Sequence, residues 1–320
     1  MNTRSLVFLG SSSFALPSLR LMVEGDISVS AVITRPDRPS GRGKKLTATP
    51  VKEAAITHNL TVYQPENKKQ LLEILQELQP QLLINVAYGM ILPDDVLALP
   101  PLECLNLHPS LLPSFRGAAP IQRTLMAGES VTGVTVLFMT KQLDAGDIVM
   151  QEQVPIGPEE DFGTLHDRLA EQGAALLLRA VQLQFQGQAS RIPQDHGQAT
   201  FAPPLTRADE EINWSAPAEK IFNLVRALAP SPGAYTRFRG TRLKVWQARL
   251  LQSQLGDTGH SPAAPGTPPG TICRVDDTCL AVQCGAGVLL LHEVQPESKR
   301  RMDARSFAQG YRLEVGEKIG

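Results

Sequence analysis

Nowhere among the 320 residues does an apolar run approach the roughly 20 needed to span a bilayer. The first strand-like segment, Leu6 to Leu9, begins too early to leave room for a signal or transit peptide. Both absences point to a cytoplasmic protein with no membrane partner. Cysteine is scarce as well: the four, at positions 104, 273, 279 and 284, form no C-x-x-C pair and have no histidine at ligand spacing beside them. No metal site is expected, and the thiols read as buried and free, as suits a reducing compartment. Two nucleotide-binding signatures are also missing. After the first strand stands Gly10-Ser11-Ser12-Ser13-Phe14, where a dinucleotide site would require G-x-G-x-x-G, and no G-x-x-x-x-G-K-[ST] occurs anywhere. The oxidoreductase class is set aside on that ground, and Gly10 is read as a turn residue.

What is present is the composition of an ordinary globular chain, 42% hydrophobic and 20% charged, long enough for two cores. Short β-rich apolar runs (SLVFLG, SVSAVIT, LLINVA, CLNLH) alternate with helical patterns over Val51 to Asn59 and Lys68 to Leu78. Runs this continuous do not suit strands with one wet face; they predict a parallel sheet covered on both sides, a Rossmann-like doubly wound α/β domain. Leu165, Leu169, Ala174, Leu177, Leu178, Val181 and Phe185 recur with helical spacing, predicting a helix over Gly163 to Gln186 that closes this domain. Polar chain interrupted by Pro193, Pro203 and Pro204 then predicts a linker from Ser190 to Asp209. Beyond one helix around Ala216 to Leu228 come only strand-like segments, Ala234 to Phe238, Leu243 to Leu250, Gly270 to Val275, Cys279 to Cys284 and Gly287 to Val294. These predict a small OB-like β-barrel, with Leu255 to Pro269 as a mobile loop. The expected domains are residues 1–189, a linker over 190–208, and 209–320. The net charge of -1 conceals 16 basic against 20 acidic residues over 1–206 and 15 against 12 over 207–320, so the C-terminal part is mildly basic and permits an anionic partner.

The most informative stretch is CLNLHPSLLPSFRGAAPIQ, Cys104 to Gln122. Within a strand, Asn106 and His108 project from the same face, and the C-terminal ends of parallel strands are where ligands bind in this architecture. Pro109, Leu111, Leu112 and Pro113 follow as a stiff apolar wall. A second polar contribution comes from Leu143-Asp144-Ala145-Gly146-Asp147, where the glycine is expected to let the chain turn tightly. Such groups fit acyl or formyl transfer to an amine. The Asn amide can donate to the oxygen that gathers negative charge, the imidazole can donate or relay a proton, and the carboxylate favours a charged imidazole.

These residues closely resemble the methionyl-tRNA formyltransferases. That family shares a strand ending in Asn-x-His, a His-x-Ser-Leu-Leu-Pro loop, and Arg-Gly-Ala-Ala-Pro-Ile-Gln, here Asn106, His108, Ser110 to Pro113 and Arg116 to Gln122. The likeness continues at Val86-Ala87-Tyr88-Gly89, Ile91-Leu92-Pro93, Thr132-Gly133-Val134-Thr135, Ile212-Asn213-Trp214-Ser215 and Lys244-Val245-Trp246. It implies 10-formyltetrahydrofolate as co-substrate, held by Ser110, Leu111, Leu112, Pro113, Tyr88 and Gly89. It also implies Asn106, His108 and Asp144 as catalytic residues, and initiator methionyl-tRNA as acceptor. Two departures stand out: Gly10 to Phe14 lacks the family's usual proline and aspartate, and Ala202-Pro203-Pro204 replaces Ala-Pro-Lys.

Thr34 to Lys52, TRPDRPSGRGKKLTATPVK, places Arg35, Arg38, Arg42, Lys44, Lys45 and Lys52 among glycines and prolines. A flexible basic segment of this kind gains affinity for phosphates by counterion release. The resemblance includes it and implies tRNA contact through Arg38, Arg42, Lys44 and Lys45, with Arg42 central; Lys299, Arg300 and Arg301 form a second basic run. The expected protein is a monomer. Two rival readings keep the same groups and change the acceptor: a formyltransferase acting on a sugar or small amine, and a hydrolase that releases formate from the same folate.

Overall fold

In a computed structural model, the described residues are 5–25, 27–40, 45–251 and 266–320. The chain divides into two compact units. Met1–Pro120, Val131–Pro155 and His166–Ala202 make the first; Ile121–Ser130, Ile156–Leu165 and Pro203–Gly320 make the second.

The first unit is built on β1 (Leu6–Gly10), β2 (Val29–Ile33), β3 (Val62–Tyr63), β4 (Leu82–Val86), β5 (Cys104–His108), β6 (Val131–Phe138) and β7 (Ile148–Pro155), ordered β7-β6-β5-β4-β1-β2-β3. Strands β1 to β5 pair in parallel, as the unbroken apolar runs of β1, β2, β4 and β5 predict; the two-residue β3 at the edge carries no such run. The sheet is not parallel throughout, however, because β6 runs antiparallel to β5 and β7 antiparallel to β6. The connection over 139–147 is too short for the crossover that a parallel pair needs, so the chain returns as a hairpin.

Helices α1 (Leu16–Glu24), α2 (Pro50–Thr57), α3 (Lys68–Leu78) and α4 (Asp94–Leu97) belong to this unit. Asn67 caps α3 by accepting the Gln70 N–H, and Leu71 and Leu75 pack with Val7, Leu9, Ala31, Ile33 and Leu83. Helices α5 (Pro120–Ala127) and α6 (Phe162–Phe185) follow. Within the run of α6 that belongs to the first unit, Gly173 permits close packing, since a Cβ there would lie 2.9 Å from Leu107 and 3.3 Å from Val134. The consequence for the site is register: Asn85 of β4 stands beside Asn106 of β5 near the C-terminal ends of both strands.

In the second unit, β8 (Ala234–Phe238), β9 (Thr241–Leu250), β10 (Ile272–Val275), β11 (Leu280–Gln283) and β12 (Val288–Pro296) form an antiparallel path β8-β9-β12-β11-β10, extended by Met302–Asp303 on β12. Helix α7 (Ala218–Leu228) contributes Ile221, Phe222, Val225 and Leu228 to a core with Val245, Leu289 and Leu291. Only strands were expected beyond α7, yet α8 (Ala304–Tyr311) closes this core. Asp303 caps it by accepting the Ser306 N–H, and Phe307 meets Phe238 edge-on at 5.4 Å. Its apolar face is limited to Ala304, Phe307 and Ala308, too few to show a period, and Gly310 weakens the helical signal further. Of the segment expected to be a mobile loop, Leu255 to Pro269, residues 255–265 lie outside the described residues.

Within the second unit, Arg123 of α5 pairs with Asp209 at 2.7 Å, and Asp209 also accepts the Thr206 N–H and hydroxyl. The Arg123 guanidinium is the main cause that holds the Asp209 carboxyl down at about 2, below its ordinary 3.8. A depressed carboxyl pKa contributes stability above the unfolded value and loses it as pH falls toward the folded one. Asp209→Asn should therefore cost about 1 kcal/mol at pH 7, allowing for solvent screening, and the deficit should close as pH falls from about 4 toward 2. Urea denaturation across that range checks it; a pH-independent deficit would mean that the pair is not its source.

Candidate active site

Strand β5 delivers Asn106 and His108 to one face, 7% and 4% exposed. The Asn85 Nδ2 donates to Asn106 Oδ1 at 2.6 Å, so the oxygen of that amide is engaged. The His108 ring lies between two acceptors: Nε2 is 3.0 Å from the Phe115 carbonyl oxygen and Nδ1 is 3.6 Å from Asp144 Oδ2. Phe115 has φ 59, a left-handed backbone that is unusual for an aromatic residue and typical of a locally constrained site.

Asp144 has φ 51 and is held from two sides. Its Oδ2 accepts the Gly117 N–H at 2.9 Å, while its carbonyl and that of Gly146 accept from Gln194 Nε2 at 3.0 and 2.7 Å. Gln194 Oε1 in turn accepts from Nε and Nη2 of buried Arg116 at 3.2 and 2.6 Å, and Arg116 Nη2 also reaches His196 Nδ1 at 3.0 Å. The left-handed turn falls on Asp144 rather than Gly146. Gly146 is needed for another reason: a Cβ there would sit 1.9 Å from the Phe138 carbonyl oxygen. Gln194 escapes sequence reasoning because it lies in polar chain that reads as a linker, with no local feature to mark it. Arg116 stands within the RGAAPIQ segment, but its burial beneath the Asp144 loop is a tertiary fact.

The Ser110 to Pro113 loop is fastened to β6 and β7. Thr135 Oγ1 donates to the Ser110 carbonyl at 2.6 Å and accepts the Leu112 N–H at 3.3 Å; Gln151 Nε2 donates to the Leu112 carbonyl at 2.7 Å. Gly133 leaves room for this loop, since a Cβ would meet Leu111 Cδ2 at 2.4 Å. Ser110 is fully buried and its hydroxyl donates to the Ser114 carbonyl at 2.7 Å. Leu112 packs with Leu137 and Ile148, whereas Leu111 and Pro113 remain half-buried. The Tyr88 ring belongs to the core, and burial pushes its hydroxyl up to about 12. Gly89 beside it is exposed, with φ 80, and its carbonyl accepts from the Arg35 guanidinium.

Ser11 joins the turn after β1 to the base of the basic segment. Its hydroxyl donates to the Tyr88 carbonyl at 3.0 Å and accepts the Arg35 N–H at 3.1 Å and the Thr34 hydroxyl at 3.3 Å. Lys52 is paired with Asp37 at 2.7 Å. Arg38 is exposed on the short strand Arg38–Ser40, which pairs with Lys45–Thr47; Arg42 and Lys44 lie outside the described residues, as does the side chain of Lys45. In the second unit, Lys299 and Arg300 are exposed, while the Arg301 guanidinium lies 3.5 Å over the Trp246 ring and donates to the Pro230 carbonyl at 3.0 Å. Among the described residues no helix is long and apolar enough to cross a membrane, and no group of three His, Cys, Asp or Glu could hold a metal ion.

Two family models match this chain: Formyl transferase over residues 3–181, and Formyl transferase, C-terminal domain, over residues 204–312. The methionyl-tRNA formyltransferase of Moorella thermoacetica is 48% identical over 317 residues, covering 98% of this chain and 99% of its own. That of Syntrophus aciditrophicus is 46% identical over 318 residues, 99% of each. Among solved structures, HypX from Aquifex aeolicus in complex with tetrahydrofolic acid aligns with TM-score 0.64 at 16% identity, over 99% of this chain and 49% of that longer one. WlaRD, a sugar 3N-formyl transferase, aligns with TM-score 0.66 at 15% identity, over 94% of this chain and 100% of its own. At such identities these likenesses speak for the fold alone.

The tether beneath Asp144 makes a direct prediction. Gln194→Ala removes one of the two partners of a buried guanidinium and leaves two carbonyls bare, so unfolding free energy should fall by about 3 kcal/mol. Amide exchange at Gly117 should accelerate along with it, because the carboxylate that accepts its N–H loses its support. Denaturation and hydrogen exchange check both; an unchanged Gly117 rate would dissociate the tether from the carboxylate.

Proposed function

The chain belongs to the formyl transferase family, matched along both of its domains. From that premise we infer that it transfers the formyl group of 10-formyltetrahydrofolate to the free amino group of methionyl-initiator tRNA. The observation that carries the chemical side of this reading is the convergence of Asn106, His108 and Asp144 at one edge of the sheet, with Nδ2 of Asn106 free of any hydrogen bond among the described residues.

The folate supplies an activated carbonyl carbon, and the acceptor amine supplies the attacking nitrogen. As the new C–N bond forms, negative charge gathers on the formyl oxygen, where the Asn106 NH2 is placed to donate. The proton lost by the amine needs a relay. His108 takes that role, and Asp144, fixed by the Gly117 N–H, stabilises the positive charge the ring then carries. Breakage of the bond to the folate nitrogen returns the proton to the leaving group. Leu111 and Pro113 present half-buried apolar surface to the folate, and Gly89 offers exposed backbone, while Ser110, Leu112 and Tyr88 contribute through the walls they support. The donor set of Asn, His and Asp fits a folate formyl group without a metal.

The tRNA is met by the basic segment, with Arg42 as its centre and Arg38, Lys44 and Lys45 beside it. Support comes from the way charge is distributed: Arg35 and Lys52 are tied to Gly89 and Asp37, while Arg38 is exposed. Asn106, His108 and Asp144 meet within a single chain, so the proposed site needs no second copy to complete it, and the reading adopted is a monomer. Four free cysteines suit a reducing compartment such as the cytoplasm.

Transfer of labelled formyl from 10-formyltetrahydrofolate, with initiator methionyl-tRNA, elongator methionyl-tRNA, an amino sugar and no acceptor run in parallel, tests the function. Product with the initiator species is expected; formate without an acceptor, or a formylated sugar alone, would replace the reading by the hydrolase or the small-amine enzyme. Asn106→Ala should lower kcat roughly 100-fold or more, as loss of an oxyanion donor does. Arg42→Ala should raise KM for tRNA while leaving that for folate unchanged, and the opposite split would move Arg42 out of the tRNA contact.

A further inference from the structure

Asn85 stands in an apolar strand, LLINV, where a carboxamide is costly to bury and a branched aliphatic residue would suit the fold better. It lies opposite Asn106 in the parallel register of β4 and β5, and its Nδ2 donates to Asn106 Oδ1 at 2.6 Å. Its own Oδ1 is buried with no hydrogen-bond partner. As a device for stability the arrangement is poor, because one bond is gained and one buried acceptor is left orphaned. As a device for orientation it is effective. A carboxamide presents NH2 and C=O with nearly the same shape, so a free Asn106 could turn either group toward the reacting carbonyl. Its oxygen there would repel the developing oxyanion; its NH2 stabilises it.

We propose that Asn85 is a positioning residue for the transfer reaction, fixing the Asn106 carboxamide so that its NH2 faces the formyl oxygen. This rests on the role assigned above to Asn106. The bond leaves Nδ2 of Asn106 without a protein partner among the described residues, and that atom is not among those buried out of reach of solvent. The opposite arrangement, with Asn106 donating to Asn85, would leave the two N–H donors of Asn85 buried without acceptors in place of one orphaned oxygen. The polar pair therefore works in one direction, from Asn85 into Asn106.

Asn85→Asp tests the direction, because a carboxylate only accepts and would draw the Asn106 NH2 away from the site. Asn85→Val is the uncharged control, which frees the amide without reversing it. The expected result is a kcat loss of roughly 100-fold for Asn85→Asp with both KM values nearly unchanged, and a loss of no more than about tenfold for Asn85→Val. In an Asn106→Ala background the Asn85→Asp change should have no further effect on kcat, whereas a purely structural or electrostatic role would still lower it. Side-chain amide NMR provides a readout that does not depend on turnover. The Asn106 NH2 signal, identified by its absence in Asn106→Ala, should exchange rapidly with water in the wild type and become protected in Asn85→Asp. Wild-type protein that transfers no formyl group to any acceptor would overturn the function proposed above while the NMR signal still decides the orientation. A protected Asn106 NH2 in the wild type, a kcat for Asn85→Asp within about twofold of wild type, or an equal loss in the Asn106→Ala background would overturn the positioning role.

Discussion

The site depends on how a single carboxylate is held. Asp144 sits on left-handed backbone in a loop between two antiparallel strands, a place where a short acidic side chain would ordinarily be free to move. Three contacts remove that freedom: the Gly117 N–H on its oxygen, Gln194 on its carbonyl, and the Gly146 backbone pressed against the Phe138 carbonyl. Because Gln194 is itself gripped by buried Arg116, the carboxylate, the RGAAPIQ segment and the chain after α6 form one hydrogen-bonded body. His108 is then placed between Asp144 and Phe115, both of which belong to that body or adjoin it.

The same logic of support from behind applies to the apolar wall. Thr135 and Gln151 fasten the Ser110 to Pro113 loop from β6 and β7, and Gly133 makes the space that Leu111 occupies. The antiparallel return of β6 and β7 is what brings those side chains under the loop. A purely parallel sheet would place a crossover helix there instead. The T-G-V-T run thus has a physical reading: one glycine for close approach, one threonine for two backbone hydrogen bonds. Tyr88 illustrates the converse, since its ring packs in the core while its neighbour Gly89 carries the exposed backbone.

Ser11 connects the turn after β1 and the chain after β4 to the base of the basic segment. Its hydroxyl links the Tyr88 carbonyl to the Arg35 N–H, so the segment departs from a fixed point even where its own residues are rich in glycine and proline. In this turn, which lacks the family's usual aspartate and proline, the Ser11 hydroxyl donates once and accepts twice. Charge is sorted in the same region: Arg35 and Lys52 are bound to neighbours and act in structure, while Arg38 is exposed.

Much was legible in the sequence for reasons that are local. Continuous apolar runs fix buried parallel strands, helical spacing fixes α3, α6 and α7, and the i, i+2 placement of Asn106 and His108 fixes their common face, because each depends only on residues near in the chain. Helix α8 was not legible, since three inward residues set no period, nor was the antiparallel direction of β6 against β5, whose long connection through α5 would also allow a parallel crossover. Gln194, Arg116 and Asn85 could not have been assigned their places by any reading of neighbours: they act across separations of 48 to 78 residues, or from an adjacent strand 21 residues away. The sequence by itself determined which chemical groups the protein carries and which strand presents two of them. Only the tertiary structure decided which way the Asn106 amide faces and what holds Asp144 against His108, because both depend on hydrogen-bond partners that folding brings together.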